Sequence, residues 1–88
     1  MATTALGSIK LLIMNPEQKV FEGTVTSIFI QGDTGEYELL PYHYPVLGLL
    51  CQGRIIIDWK YAIYVKKGIA RFFKNDCVIL VELDQEKT

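Results

Sequence analysis

Apolar and polar positions alternate along most of this chain with a period near two, and glycine, proline, asparagine or aspartate interrupts the alternation every few residues. That period belongs to extended strands, whose successive side chains point to opposite faces. Residues 9–14 read as a first strand, closed by the turn residues Asn15-Pro16-Glu17. Residues 19–21 form a short strand before Gly23. Residues 24–31 form a longer one, with Val25, Ile28 and Ile30 as core candidates. Gly32-Asp33-Thr34-Gly35 is a turn, because glycine supplies positive φ at low cost. Residues 36–40 give a strand that stops at Pro41. Residues 46–51 follow Pro45, and Gln52-Gly53 ends that run. Residues 54–59 and 61–66 flank Lys60 as a tight hairpin. Ile55, Ile57 and Trp59 share a face of its first strand, and Tyr61, Ile63 and Val65 share a face of its second. Residues 69–73 and 78–83 make a last hairpin about Asn75-Asp76.

The expected fold is all-β, a small two-layer β-sandwich of about eight to ten short strands, since the strands are short and closely spaced. One domain occupies residues 1–83, and residues 84–88 form a polar, frayed tail. Ile55-Ile56-Ile57 and Val78-Ile79-Leu80-Val81 are apolar on both faces, whereas a sandwich strand needs only one buried face. The excess lies under a loop or neighbouring strand, or it is a partner interface. Phe72-Phe73 places one ring in the core and leaves the other exposed or at an interface.

Composition narrows the function classes. The 88 residues are 50% apolar, and a net charge of -1 leaves no electrostatic footprint for nucleic acid. The start, residues 1–8, has neither a basic stretch followed by an apolar one nor an arginine, so it reads as neither a signal nor a transit peptide. No apolar run approaches the ~20 residues that span a bilayer as a helix. Cys51 and Cys77 lie in apolar surroundings and read as buried, reduced thiols. With His43 they are too few for a metal site, and nothing in the sequence calls for a cofactor.

The chemistry-bearing residues gather between Gly35 and Leu47, where the only histidine lies among two prolines and three tyrosines. Proline also restricts the residue before it, so Pro41 and Pro45 make a stiff loop that aims His43. His43 with Glu36 or Glu38 is one candidate acid–base pair, and Cys51 with His43 is a candidate nucleophile and base. Neither has further catalytic company. Amphipathic Tyr42 and Tyr44 on a stiff loop suit a protein contact instead. Gly32-Asp33-Thr34-Gly35-Glu36 lacks the lysine and hydroxyl of a P-loop and is too short for an EF-hand.

These segments together resemble the N-terminal β-sandwich domain of the epsilon subunit of F-type ATP synthases. Residues 9–23 are similar to the family's opening strand, turn and F-x-G element, here Phe21-Glu22-Gly23. Gly32-Asp33-Thr34-Gly35-Glu36 resembles its acidic turn, and Leu39-Leu40-Pro41-Tyr42-His43-Tyr44-Pro45-Val46-Leu47 its L-P-x-H-x-P-L-L signature. Gly53-Arg54-Ile55, Lys67-Gly68-Ile69-Ala70 and Val78-Ile79-Leu80 are similar to later landmarks. The chain departs from the pattern at Tyr42, where the family has glycine, at Tyr44, where it has a small residue, and at Lys67, where a second glycine is common. Its hairpin around Lys60 is short, and it ends near Leu83, where many members continue into a two-helix hairpin.

The resemblance implies a non-catalytic subunit of the rotating central stalk, with Asn15, Tyr42, His43 and Tyr44 toward the gamma subunit and Asp33, Thr34 and Glu36 toward the polar loops of the membrane c-ring. It implies a peripheral place on the cytoplasmic face of a bacterial plasma membrane, within the ATP synthase catalytic sector. It implies no nucleic-acid partner, and membrane association only through the complex. A member without the helical hairpin is expected not to restrain ATP hydrolysis in the manner of the longer forms. The alternatives are a stand-alone adaptor that binds a protein through Tyr42 and Tyr44, and a small hydrolase built on His43 and Cys51.

Overall fold

The computed structural model describes residues 7–84. The strands are β1 (Ile9–Met14), β2 (Lys19–Val25), β3 (Ile28–Gly32), β4 (Gly35–Leu39), β5 (Val46–Ile57), β6 (Tyr61–Phe73) and β7 (Asp76–Leu83). They form one hydrogen-bonded sheet in the order β2-β1-β7-β6-β5-β3-β4. All neighbours are antiparallel except β1 and β7.

The fold is the expected all-β one, but with seven strands rather than eight to ten, because two predicted breaks are bulges. In β5 the inward positions are Val46, Gly48 and Leu50, then Gly53, Ile55 and Ile57; Cys51 and Gln52 are both exposed. In β6 the inward set changes from Ile63 and Val65 to Gly68, Ala70 and Phe72 across exposed Lys66 and Lys67. Each polar doublet shifts the inward phase by one residue without ending the ladder, as a bulge does. The reverse correction applies to residues 24–31. Val25 faces inward on odd phase and Ile28 and Ile30 on even phase, so the run must break, and it does at Thr26-Ser27.

The bulges let the single ladder fold over itself into two layers. Tyr37 on β4 pairs with Ile30, which pairs with Ile55. A straight β5 would hold Gly48 about 23 Å from Ile55. Yet the Tyr37 hydroxyl lies 2.9 Å from where a Cβ on Gly48 would stand, and its ring covers Gly32 equally closely. Between the layers Ile9, Leu11, Ile13, Val25, Ile28, Ile30, Leu39, Leu50, Ile55, Ile57, Val65, Ala70, Phe72, Cys77, Ile79 and Val81 form one core. Burial pushes the Tyr37 phenol above its ordinary value, with Cys77 and Asp33 adding to the effect.

Three turns use backbone that side chains disfavour. Lys74 and Asn75 join β6 to β7 with φ of 51° and 61°, and Asp58 and Trp59 join β5 to β6 with φ of 54° each. Left-handed conformations of this kind cost about 1–2 kcal/mol per residue. At the second turn Asp58 Oδ1 accepts from Thr26 N, Thr26 Oγ1 and Ser27 N at 2.7, 3.0 and 3.0 Å. Glu38 Oε2 accepts from Ser27 Oγ and from the Trp59 indole at 2.6 and 2.9 Å, which holds its carboxyl below the usual carboxylate range. Trp59 therefore stands in an exposed turn against Phe29, not on a core face with Ile55 and Ile57. The third such position, Tyr42, belongs to the loop described below. Asp84 also departs from expectation. It is buried, its N–H donates to the Tyr64 carbonyl and its carboxylate accepts from Gln52. The rest of the expected tail, residues 85–88, lies outside the described residues, as do residues 1–6 of the expected leaderless start.

Candidate functional site

The loop that carries His43 is a β-turn built on the wrong residue. His43 N donates to the Leu40 carbonyl at 3.1 Å, and Tyr42 has φ of 70°. Proline at the second position and positive φ at the third define a type II turn, which glycine fills most cheaply. Here tyrosine fills it. Its N–H donates to Asn75 Oδ1 at 2.6 Å, and its hydroxyl lies over Gly7. The β6–β7 turn thus holds the strained loop in place.

His43 is packed rather than poised for chemistry. Its ring meets Tyr44 and Phe72 edge-on at 5.8 and 5.9 Å, and Nδ1 lies 2.9 Å from the Tyr44 carbonyl. The fold does not bring it to the carboxylates considered in the sequence. Glu38 serves Ser27 and Trp59, and Glu36 accepts from Gln31 Nε2 at 3.2 Å. Phe72 is in register with Val46, so Cys51 lies about 16 Å down β5 from the histidine's support. The nucleophile–base pair is not assembled.

Cys51 corrects a second expectation. It is exposed, because it belongs to the phase-shifting doublet of β5, and its Sγ donates to the Gln31 and Gly32 carbonyls. Cys77 is buried as expected, and burial pushes its thiol up to about 12. An aromatic disulfide reagent should therefore titrate one thiol per folded chain and two in denaturant. Two rapidly reacting thiols in the folded protein would show that the core around Cys77 is open.

The remaining expected contact residues fall in two further places. Asp33 and Thr34 form the two-residue turn between β3 and β4, with Asp33 N donating to the Leu49 carbonyl, and exposed Glu36 follows near the start of β4. Asn15 caps the β1–β2 turn, where its Oδ1 accepts from Glu17 N and Gln18 N at 2.8 and 2.9 Å. It lies about 17 Å along β1 from Lys10, which bonds the Asn75 carbonyl next to the Tyr42 loop. Asn15 and His43 are therefore not neighbours.

What lies between them is an apolar outer face that the sequence did not resolve. Leu49, Ile69, Leu80 and Met14 stand in direct register across β5, β6, β7 and β1. Leu47, Arg71, Val78 and Leu12 form the adjoining row. Leu47 is 73% exposed, and Tyr42 and Tyr44, at the end of the face, are 73% and 81% exposed. Phe73 continues the face as the outward member of its pair. The signal was present as strands apolar on both sides, but which side is outward depends on strand pairing. Among the described residues no group of three or more histidine, cysteine, aspartate or glutamate side chains is placed to hold a metal ion.

Comparison with known proteins gives consistent matches. The family described as "ATP synthase, Delta/Epsilon chain, beta-sandwich domain" matches residues 8–83. The ATP synthase epsilon chain of a Nitratiruptor species is 35% identical over 81 residues, covering 88% of this chain and 63% of that protein. The ATP synthase epsilon chain of a Synechococcus species is 32% identical over 78 residues, covering 84% and 57%. The chain thus spans about three-fifths of the length of these relatives. Among solved structures, a chain of the Euglena gracilis mitochondrial ATP synthase (OSCP/F1/c-ring) superposes with a TM-score of 0.75 at 19% identity, over 91% of this chain and 58% of that one. A chain of the Tetrahymena thermophila mitochondrial ATP synthase (central stalk/c-ring) superposes with a TM-score of 0.73 at 13% identity, over 92% and 69%. At these identities the superpositions establish the shared fold.

Proposed function

The chain belongs to the ATP synthase delta/epsilon chain beta-sandwich domain family, and from that premise we propose that it is a non-catalytic subunit of the rotor stalk of an F-type ATP synthase. The observation that carries the reading is the arrangement of its contact groups on one folded sheet. Asn15 and the Tyr42-His43-Tyr44 loop bracket a single apolar face, while Asp33, Thr34 and Glu36 lie on the β3–β4 hairpin, whose turn bonds the Leu49 carbonyl at the edge of that face.

In this reading the gamma subunit covers the apolar face from Asn15 to Tyr44, and the polar loops of the c-ring meet the Asp33-Thr34 turn and Glu36. The task is mechanical. Torque passes between two partners through a sheet whose hydrogen bonds run unbroken from β2 to β4. An interface that carries it buries more than about 1,000 Å² in total. The leucines, isoleucine and aromatic rings of the outer face supply the apolar part. The place in the cell follows from the assembly: the membrane-associated synthase, on its cytoplasmic face in a bacterium.

The test is co-expression with the ATP synthase gamma subunit of the same organism. A stable complex is expected. His43→Glu should weaken it at least about tenfold, because a flexible anion replaces a ring that packs edge-on against Tyr44 and Phe72. Absence of a complex at micromolar concentrations would overturn the reading.

A further inference from the structure

The apolar outer face holds one feature that packing alone does not require. Arg71 stands at its centre. Leu47 and Val78 face it directly across β5 and β7, and Ile69 and Phe73 flank it on the same side of β6. Two other cations of this layer have acidic neighbours, and Lys74 at the edge of the face lies over the Phe73 ring, 5.3 Å from its centroid. Lys67 pairs with Glu82 at 3.7 Å, and Lys10 stands directly across from Asp76. Among the described residues no carboxylate lies within salt-bridge distance of the Arg71 guanidinium, although Asp76 sits only one diagonal step away.

While the face is open to water, such an arginine costs nothing. Once a partner covers the leucines and isoleucine around it, the guanidinium loses its solvent. A buried, unpaired charge is strongly unfavourable, and a carboxylate with matching two-pronged geometry removes most of that cost. Asp76 already stands directly across from Lys10, so a partner gains most on this face by bringing its own acid to the middle of the apolar patch.

We propose that Arg71 is the specificity-determining residue of this face, and that it receives an aspartate or glutamate which the gamma subunit presents between apolar side chains. The inference rests on the stalk reading above and adds to it a charge that the partner must match. The apolar rows supply contact area, and Arg71 fixes which surface of the partner may lie on them.

The experiment measures binding of the full chain to the gamma subunit of the same organism by calorimetric titration, for the parent, Arg71→Met and Arg71→Glu. Arg71→Glu should weaken binding about a hundredfold or more, and Arg71→Met by less. Thermal unfolding of the chain alone should not change, because Arg71 is exposed. Charge reversal of individual acids on the gamma subunit should identify one position whose lysine variant restores binding of Arg71→Glu. Binding of Arg71→Glu within twofold of a parent that does bind would overturn the inference and leave the stalk reading standing. A loss that no charge reversal rescues would overturn it in the same way. A parent that fails to bind overturns the stalk reading itself. Self-association of the isolated chain that disappears with Arg71→Glu would overturn the inference by assigning the face to a second copy.

Discussion

Phe72→Ala should lower the unfolding free energy by about 3–5 kcal/mol, the range for deleting a fully buried aromatic side chain. Phe72 is 1% exposed and heads the fully buried side chains by volume. It stands between Val46 on β5 and Cys77 on β7, so its removal opens a cavity across three strands. A domain of this size commands only about 4–13 kcal/mol in all, so the loss takes roughly a quarter of it or more. The effect reaches the candidate site directly, because the ring is also the floor under the His43 imidazole. Urea unfolding followed by the fluorescence of Trp59, the only tryptophan, reads the change. Phe72→Leu keeps most of the volume and should lose far less. A Phe72→Ala variant within about 1 kcal/mol of the parent would show that the packing between β5 and β7 is looser than described.

Gly68→Ala should cost about 2–3 kcal/mol, although it adds a single methyl group. A Cβ there would stand 2.6 Å from the Leu80 carbonyl oxygen and 3.2 Å from Val81 Cγ1. The nearer obstacle is backbone, which cannot swing aside as a side chain can. Gly68 follows the bulge at Lys66, where the pairing of β6 with β7 shifts register and the two strands approach closely. Gly53 makes the useful comparison. A Cβ there meets the flexible Gln31 amide, so Gly53→Ala should cost less than Gly68→Ala even though the nominal contact is tighter. Equal unfolding midpoints for Gly68→Ala and the parent would show that β6 and β7 can separate at this point.

Several features were legible because their causes are local. The turn at Asn15-Pro16-Glu17 follows from an asparagine that caps its own backbone. The Asp33-Thr34 turn follows from the glycines on either side. The stiffness of the His43 loop follows from Pro41, and its strained residue is Tyr42, at the turn position that glycine fills most cheaply. What stayed hidden was how the strain is held, because Asn75 lies 33 positions away along the chain. Cys51 was misplaced for a similar reason. It follows two leucines, but the bulge turns it outward beside Gln52.

Alternation and turn residues alone were enough to show that the chain is all β-structure, where most turns fall, and that one loop gathers the histidine and three tyrosines. Strand period and turn chemistry act over a few residues, so a few residues suffice to read them. Pairing between distant strands makes the polar doublets at 51–52 and 66–67 bulges, sets Asn15 and His43 at two ends of one face, and puts Arg71 at the centre of that face. Strand alternation specifies two faces but not which one is covered. That choice is made by pairing between residues distant in the chain, and a side chain becomes inward or outward only when its neighbouring strands have closed over it.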